Sequence, residues 1–147
     1  MDEVEITQFI AETFASVNVD RTGGDTFFSV DPERQFPFAT IVTHDTDRDN
    51  ASELDRPSVF RLNIGVSEST YASLFEAEPP GERNGGVIAT GHDYAALDRL
   101  MPHPIDGRQY WISVLNPSAE TFESIHPLLA EAHSLATSRN ARRESSA

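Results

Sequence analysis

The sequence predicts an α+β domain built as two layers, an antiparallel sheet with helices packed on one face. Three observations carry this. Segments of strand composition gather in the first half, at 25–30, 37–43 and 58–66, each rich in aromatic or β-branched residues. Segments of helical period lie outside that cluster, an order unlike the βαβ repeat of a parallel sheet. Within 58–66, Phe60, Leu62, Ile64 and Val66 alternate with Arg61, Asn63 and Gly65. Such alternation belongs to a sheet with one face against helices and the other facing water, so an open face bearing Arg61 and Asn63 is expected.

Taken in order, residues 2–17 read as an amphipathic helix. Ile6, Phe9, Ile10 and Phe14 form its apolar stripe, Asp2 is placed to cap it, and Glu3 and Glu5 suit its positive end. Asn18 and the pair Gly23-Gly24 interrupt that pattern, and the strand segments follow. The acidic run 44–56, HDTDRDNASELDR, joins the second strand segment to the third. Ser67 is positioned to cap the next helix, with Val66 and Tyr71 as its hydrophobic staple and Leu74 and Phe75 on the same side. Residues 76–86 have no period and read as a mobile surface loop, followed by a short edge strand at 87–90.

The stretch 92–116 is the densest in information, with the sole tryptophan and two of the five histidines. Asp93 opens a predicted helix carrying Tyr94, Leu97, Leu100 and Met101, which Pro102 ends. Residues 108–115 form the next strand. Asn116-Pro117-Ser118 starts the closing helix, with a kink or restart near His126 because Pro127 lacks a backbone donor. The domain spans 1–137, and 138–147 reads as a disordered tail.

Composition narrows the function classes. A chain of 147 residues with 38% hydrophobic content is the size of one domain. The absence of cysteine excludes a disulfide framework, a thiolate metal site and a cysteine nucleophile. The acidic start MDEVEITQF lacks the features of a signal peptide, and no apolar run reaches the roughly 18 residues of a membrane span, so a cytoplasmic protein is expected. The formal net charge is −13 and every basic side chain is arginine. Such a field repels phosphate backbones and anionic membranes.

No motif spells a named reaction. Asp45, Asp47 and Asp49 stand at the first three ligand positions of a calcium loop, but the place of the bidentate glutamate holds Arg56. The histidines show no HxH, HxxxH or HExxH spacing, so neither a metal nor a cofactor is expected. There is no GxSxG, and neither glycine pair belongs to a phosphate loop. What remains is a surface. If Tyr110, Ile112 and Val114 face the helices, Trp111 and Ser113 share the opposite face with Arg61 and Asn63, a patch suited to recognition; with the parity reversed, Trp111 packs under the last helix, and parity alone does not choose between the two.

Two resemblances rest on particular blocks. The run Trp111-Ile112-Ser113-Val114, the Asn-Pro-Ser helix start, and then Leu128-Leu129 with Glu131-Ala132-His133 resemble the C-terminal signature of MmcQ/YjbR-like domains; Ala132-His133 departs from the Ser-Tyr-like step of that signature. That resemblance implies a compact α+β domain and the DNA-binding role proposed for such domains. More closely, FPFATIVT, SELDRPSVFRLNIGV and HDYAALDRLMPHP are similar to a family of small, mainly bacterial proteins classed as a domain of unknown function, over about residues 2–137. It carries no assigned catalytic residues.

The reading the residues support is a module that binds a ligand or partner on the open sheet face, through Arg61, Asn63, Trp111 and His103. The alternatives are an enzyme on a small polar substrate, with His103 or His92 as acid/base beside Arg61, and the DNA-binding role, which the charge disfavours.

Overall fold

The computed structural model describes residues 1–79 and 86–146. Helix α1 (Glu3–Thr13) opens the chain on a capping box, in which Asp2 and Glu5 each accept the other's backbone N–H at 2.9 Å. Strands β1 (Asn18–Thr22) and β2 (Asp25–Ser29) form a hairpin whose two turn residues, Gly23 and Gly24, have φ of 60° and 89°. Both angles lie where glycine is favoured, and the turn matches the right-handed twist of the strands. The glycine pair is thus a hairpin turn, and β1 is a strand that the sequence reading took for a break.

Strands β3 (Ala39–Val42) and β4 (Arg61–Gly65), helix α2 (Glu68–Phe75), strand β5 (Met101–Pro102), a 3-10 turn at Asp106–Gln109 and strand β6 (Trp111–Leu115) follow. Helix α3 (Ala119–Ser124) ends at Ile125, and α4 (His126–Ser146) restarts with Pro127 in its first turn, where a missing donor costs nothing. The expected restart at His126 is therefore present. Ser67 and Ser118 cap α2 and α3, each accepting a backbone N–H three residues on.

The sheet has six strands in the order β1-β2-β3-β4-β6-β5, every neighbouring pair antiparallel. The α+β class holds. Ile41, Leu62, Ile64, Ile112 and Val114 line one face, where Ile6 and Ile10 of α1, Tyr71 of α2, Phe122 of α3 and Leu129 of α4 pack on them. Phe60, Leu62 and Ile64 are core, as the alternation requires.

The other face is not open. The 44–60 connection and the segment before β5 fold over it, and Leu54, Met101 and Leu115 make a second small core there with Val42, Val59 and Tyr94 against them. Arg61 is 0% exposed and Asn63 3%. The expected solvent-facing surface is thus covered, because a loop sent across a sheet can bury apolar side chains that helices do not reach.

Three further expectations change. Residues 93–100 are turns instead of a helix: Asp93 Oδ1 takes the N–H of Ala95, Asp98 has φ of 58°, and its N–H pairs with Leu115. A helix so short nucleates poorly, and pairing of Met101 and Pro102 with β6 draws the chain extended. Residues 87–90 form no strand; the Ile88 N–H donates to the Pro104 carbonyl. Residues 138–146, expected as a disordered tail, continue α4. Most of the predicted loop 76–86 lies outside the described residues. No helix among the described residues is long and apolar enough to cross a membrane.

Candidate functional site

The antiparallel register brings polar side chains into line on the second face. Thr40 of β3 pairs with Asn63 of β4, and Asn63 with Ser113 of β6, so three polar side chains sit abreast; Arg61 precedes Asn63 by two residues on β4. The period of two that sends Leu62 and Ile64 into the helix layer sends these residues to the opposite side. Ile112 and Val114 are core while Ser113 joins Asn63, so of the two parities open to the Trp111 strand the structure takes the one that puts Trp111 on the Arg61 and Asn63 face.

Arg61 is the centre of the cluster. Its Nη1 donates to Asp49 Oδ1 and to Ser52 Oγ, both at 3.0 Å, its Nη2 donates to Asp49 Oδ2, and its Nε donates to Asn63 Oδ1 at 2.8 Å. Asn63 Oδ1 also accepts the Ser113 hydroxyl at 2.7 Å, and Asn63 Nδ2 donates to Thr40 Oγ1 at 3.0 Å. A bidentate guanidinium–carboxylate pair with its remaining donors engaged is the form in which a buried arginine is tolerated. Asp49 supplies the counter-charge. Burial raises its carboxyl, but the hydrogen bonds and charge of Arg61 outweigh that, with His103 and Arg48 adding, and it titrates below the usual carboxylate range.

His103 enters from the segment between β5 and the 3-10 turn. Its Nδ1 accepts the backbone N–H groups of Ile105 and Asp106, at 3.1 and 3.0 Å. Both ring nitrogens thus face protein donors, two backbone N–H groups at Nδ1 and the Arg61 guanidinium at Nε2. Nε2 lies 3.1 Å from Arg61 Nη2, and 3.8 and 3.7 Å from carboxylate oxygens of Asp49 and Asp106. Burial first, and the positive charge of Arg61 second, push the imidazole down to about 4, against the opposing pull of Asp106 and Asp49. At neutral pH His103 is uncharged.

Trp111 lies at the end of this row, opposite Gly65. A Cβ on Gly65 would come within 3.1 Å of the indole ring, so glycine here is what lets the ring lie against the neighbouring strand. The half-buried indole separates two recesses. One, of about 210 Å³, is bounded by Pro37, Thr40, Asn63, His103, Asp106, Gln109 and Trp111. The other, of about 290 Å³, shares Pro37, Gln109 and Trp111 and extends past Phe36 and Phe38 to Arg139 and Arg143 on α4.

All four site residues read from the sequence, Arg61, Asn63, Trp111 and His103, lie in this region; Arg61, Asn63 and His103 are joined directly, and Arg61 stands behind the recess. His92 does not: it bonds Thr90 and packs edge-on to Phe75. His126 and His133 stack on Phe9 and Phe14 of the α1 region, and His44 lies beside Asp25. Sequence reasoning missed Thr40, whose parity with Asn63 was readable, and Asp49 and Ser52, whose loop gave no signal of where it folds. In that loop Asp49 is held by Arg61 and Asp45 accepts the Leu54 N–H at 2.8 Å, so two carboxylates of the calcium-like pattern serve protein donors. Among the described residues no group of three or more His, Cys, Asp or Glu side chains could hold a metal ion.

A crystal structure of a protein from Pseudomonas syringae is similar to this chain over 92% of its length and 99% of that protein's, at 14% identity and a TM-score of 0.49. No curated protein matches. With residues 1–145 matched by its family model, the chain belongs to the family of unknown function DUF6194.

Proposed function

We propose that this chain is a small-ligand-binding domain whose ligand occupies the recess over Asn63, beside Trp111. The observation that carries this reading is the polar network beneath that recess. An apolar set of the same volume would usually stabilise a sheet face at least as well as a buried Arg–Asp pair. Here the pair instead holds Asn63 and His103 in fixed orientation at the wall of a concavity next to an aromatic ring. Few, rigidly placed polar groups beside an apolar surface are the mark of a small-molecule site.

The groups at the wall favour binding over catalysis. His103 is neutral, and both of its ring nitrogens face protein donors, Nδ1 two backbone N–H groups and Nε2 the Arg61 guanidinium. With its nitrogens so engaged it is poorly placed to take a proton from a ligand. A ligand with a carbonyl, hydroxyl or ring-nitrogen acceptor matches the second N–H of Asn63 Nδ2, whose first goes to Thr40. A flat protein partner fits less well, because Trp111 borders concave recesses on both sides.

The test is a fragment screen read by amide and indole chemical shifts. Ligands should perturb the Asn63 side-chain amide and the Trp111 indole together, and Thr40→Val or Gln109→Ala should weaken them without unfolding the chain. Ligands that perturb only residues remote from Asn63 would refute this site.

A further inference from the structure

We infer that the second recess, between Phe36, Trp111 and the last turns of α4, binds a planar ring carrying one anionic group, a carboxylate or a phosphate. This goes beyond the reading above, since the arginines of this recess do not border the one over Asn63.

Three observations converge. First, none of the side chains lining this recess is acidic, in a chain with 24 acidic and 11 basic residues. Its only charged groups are Arg139 and Arg143, four residues apart and hence on one side of α4. A locally positive wall in so negative a molecule is where an anion loses least to repulsion.

Second, these arginines are not committed to carboxylates. The Arg139 side chain makes no hydrogen bond or ion pair among the described residues, and the guanidinium of Arg143 lies 4.3 Å from the ring centre of Phe36. The cation–π contact fixes the Arg143 head while leaving its N–H edge available. Two such heads offer the paired donors that a carboxylate or phosphate accepts.

Third, the rest of the wall is apolar and aromatic. Phe36 is 50% exposed, and the floor is Phe38, Val66 and the Trp111 ring. A volume of 290 Å³ holds about ten water-sized groups, the size of a single substituted ring. The ring would lie along the Phe36–Trp111 surface with its anionic group toward α4.

The experiment uses benzoate, phenyl phosphate and neutral benzamide as probes, titrated against the intact protein and followed by the single indole N–H signal of Trp111. Benzoate or phenyl phosphate should bind with a Kd of about 1 mM or tighter, and benzamide about tenfold more weakly or less. The preferred anion identifies the natural headgroup as carboxylate or phosphate. Arg139→Gln and Arg143→Gln should each lower anion affinity about tenfold while leaving benzamide unchanged. Both lie on an exposed helix face, and circular dichroism checks that each variant folds. Equal affinity for benzoate and benzamide, no binding of either anion, or anion affinity untouched by both substitutions would overturn the inference. Thr40→Val is the separating control: it should weaken ligands of the Asn63 recess and leave benzoate unaffected, so either proposal can fail alone. Loss of benzoate binding in Thr40→Val, with both arginine variants unaffected, would place the anion over Asn63 and overturn the assignment to α4.

Discussion

Removing the Arg61 guanidinium should destabilise this domain as much as cutting a hole in its core. Arg61 is fully buried and donates to Asp49, Ser52 and Asn63. In Arg61→Ala the Asp49 carboxylate keeps its desolvation and loses the partner that offsets it, while the volume of a long side chain empties beneath the 44–56 loop. Breaking one side of a buried ion pair costs about 3–5 kcal/mol. Leu62→Ala, on the helix side of the same strand, should cost about 2–5 kcal/mol. Adjacent residues facing opposite ways are thus expected to be equally sensitive. Urea unfolding with free slopes measures both. The decisive third variant is Arg61→Met combined with Asp49→Leu, which removes both charges and refills the space. Apolar replacement of a buried pair is often neutral or stabilising, so the double variant should recover most of the loss, with a coupling of about 1–3 kcal/mol. An Arg61→Ala protein within about 1 kcal/mol of the parent, additive with Asp49→Leu, would refute the buried network. A neutral Leu62→Ala would mean the sheet is turned the other way.

Lowering the pH should destabilise the fold through His103. Its folded value is depressed to about 4 from an ordinary 6.5, so the unfolded chain binds the extra proton. The stability at stake is present above pH 6.5 and is lost as pH falls toward 4, by roughly 3 kcal/mol. His103→Asn should flatten the urea midpoint across that interval. Asp49 adds a loss only below its ordinary range, since its depressed carboxyl contributes above the unfolded value and fails as pH falls through the folded one. Gly65→Ala should displace the indole of Trp111, shift its fluorescence and cost about 1–3 kcal/mol, and an unchanged emission spectrum would contradict the packing. Calorimetry should find calcium binding to the 44–56 loop no tighter than about millimolar, because Arg56 stands where the bidentate glutamate belongs and Asp49 is held by Arg61.

The helix layer was legible because periodicity reports burial against one partner. Ile6 and Ile10, the alternation of β4, and the serine caps are local patterns whose consequences are local. The second face was not, because its cover is a loop, and loops have no period. Leu54 in the acidic run looks like one apolar residue among charges, yet it is 1% exposed under the sheet. Arg61 then reads as solvent-facing when the partner that buries it, Asp49, lies twelve residues away in a segment resembling a hydrated turn. β1 failed for a different reason: an edge strand with Val19 as its single apolar residue has little hydrophobic signal, and the glycine pair that forms its turn was available as evidence. The predicted helix at 93–101 shows the converse, a local period overridden by pairing of Met101 and Pro102 with β6.

The cover on the second face also explains where a ligand can enter. Its apolar part, Leu54 with Met101 and Leu115, sits at the Arg61 end of the strands, where the loop closes the sheet completely. The Asn63, Ser113 and Trp111 end lies beyond that seal, and there the wall is polar and the concavities open. Arg61 spans the boundary, anchoring the loop through Asp49 and Ser52 and orienting Asn63 through Nε. One side chain therefore serves stability and site geometry together, and substituting it cannot separate the two. Thr40 touches the recess without holding the loop, Gln109 lines both recesses, and Arg139 and Arg143 touch the neighbouring recess without touching the network. Variants at Thr40 on one side and at Arg139 and Arg143 on the other, losing affinity at an unchanged unfolding midpoint, would assign the two recesses independently of the fold.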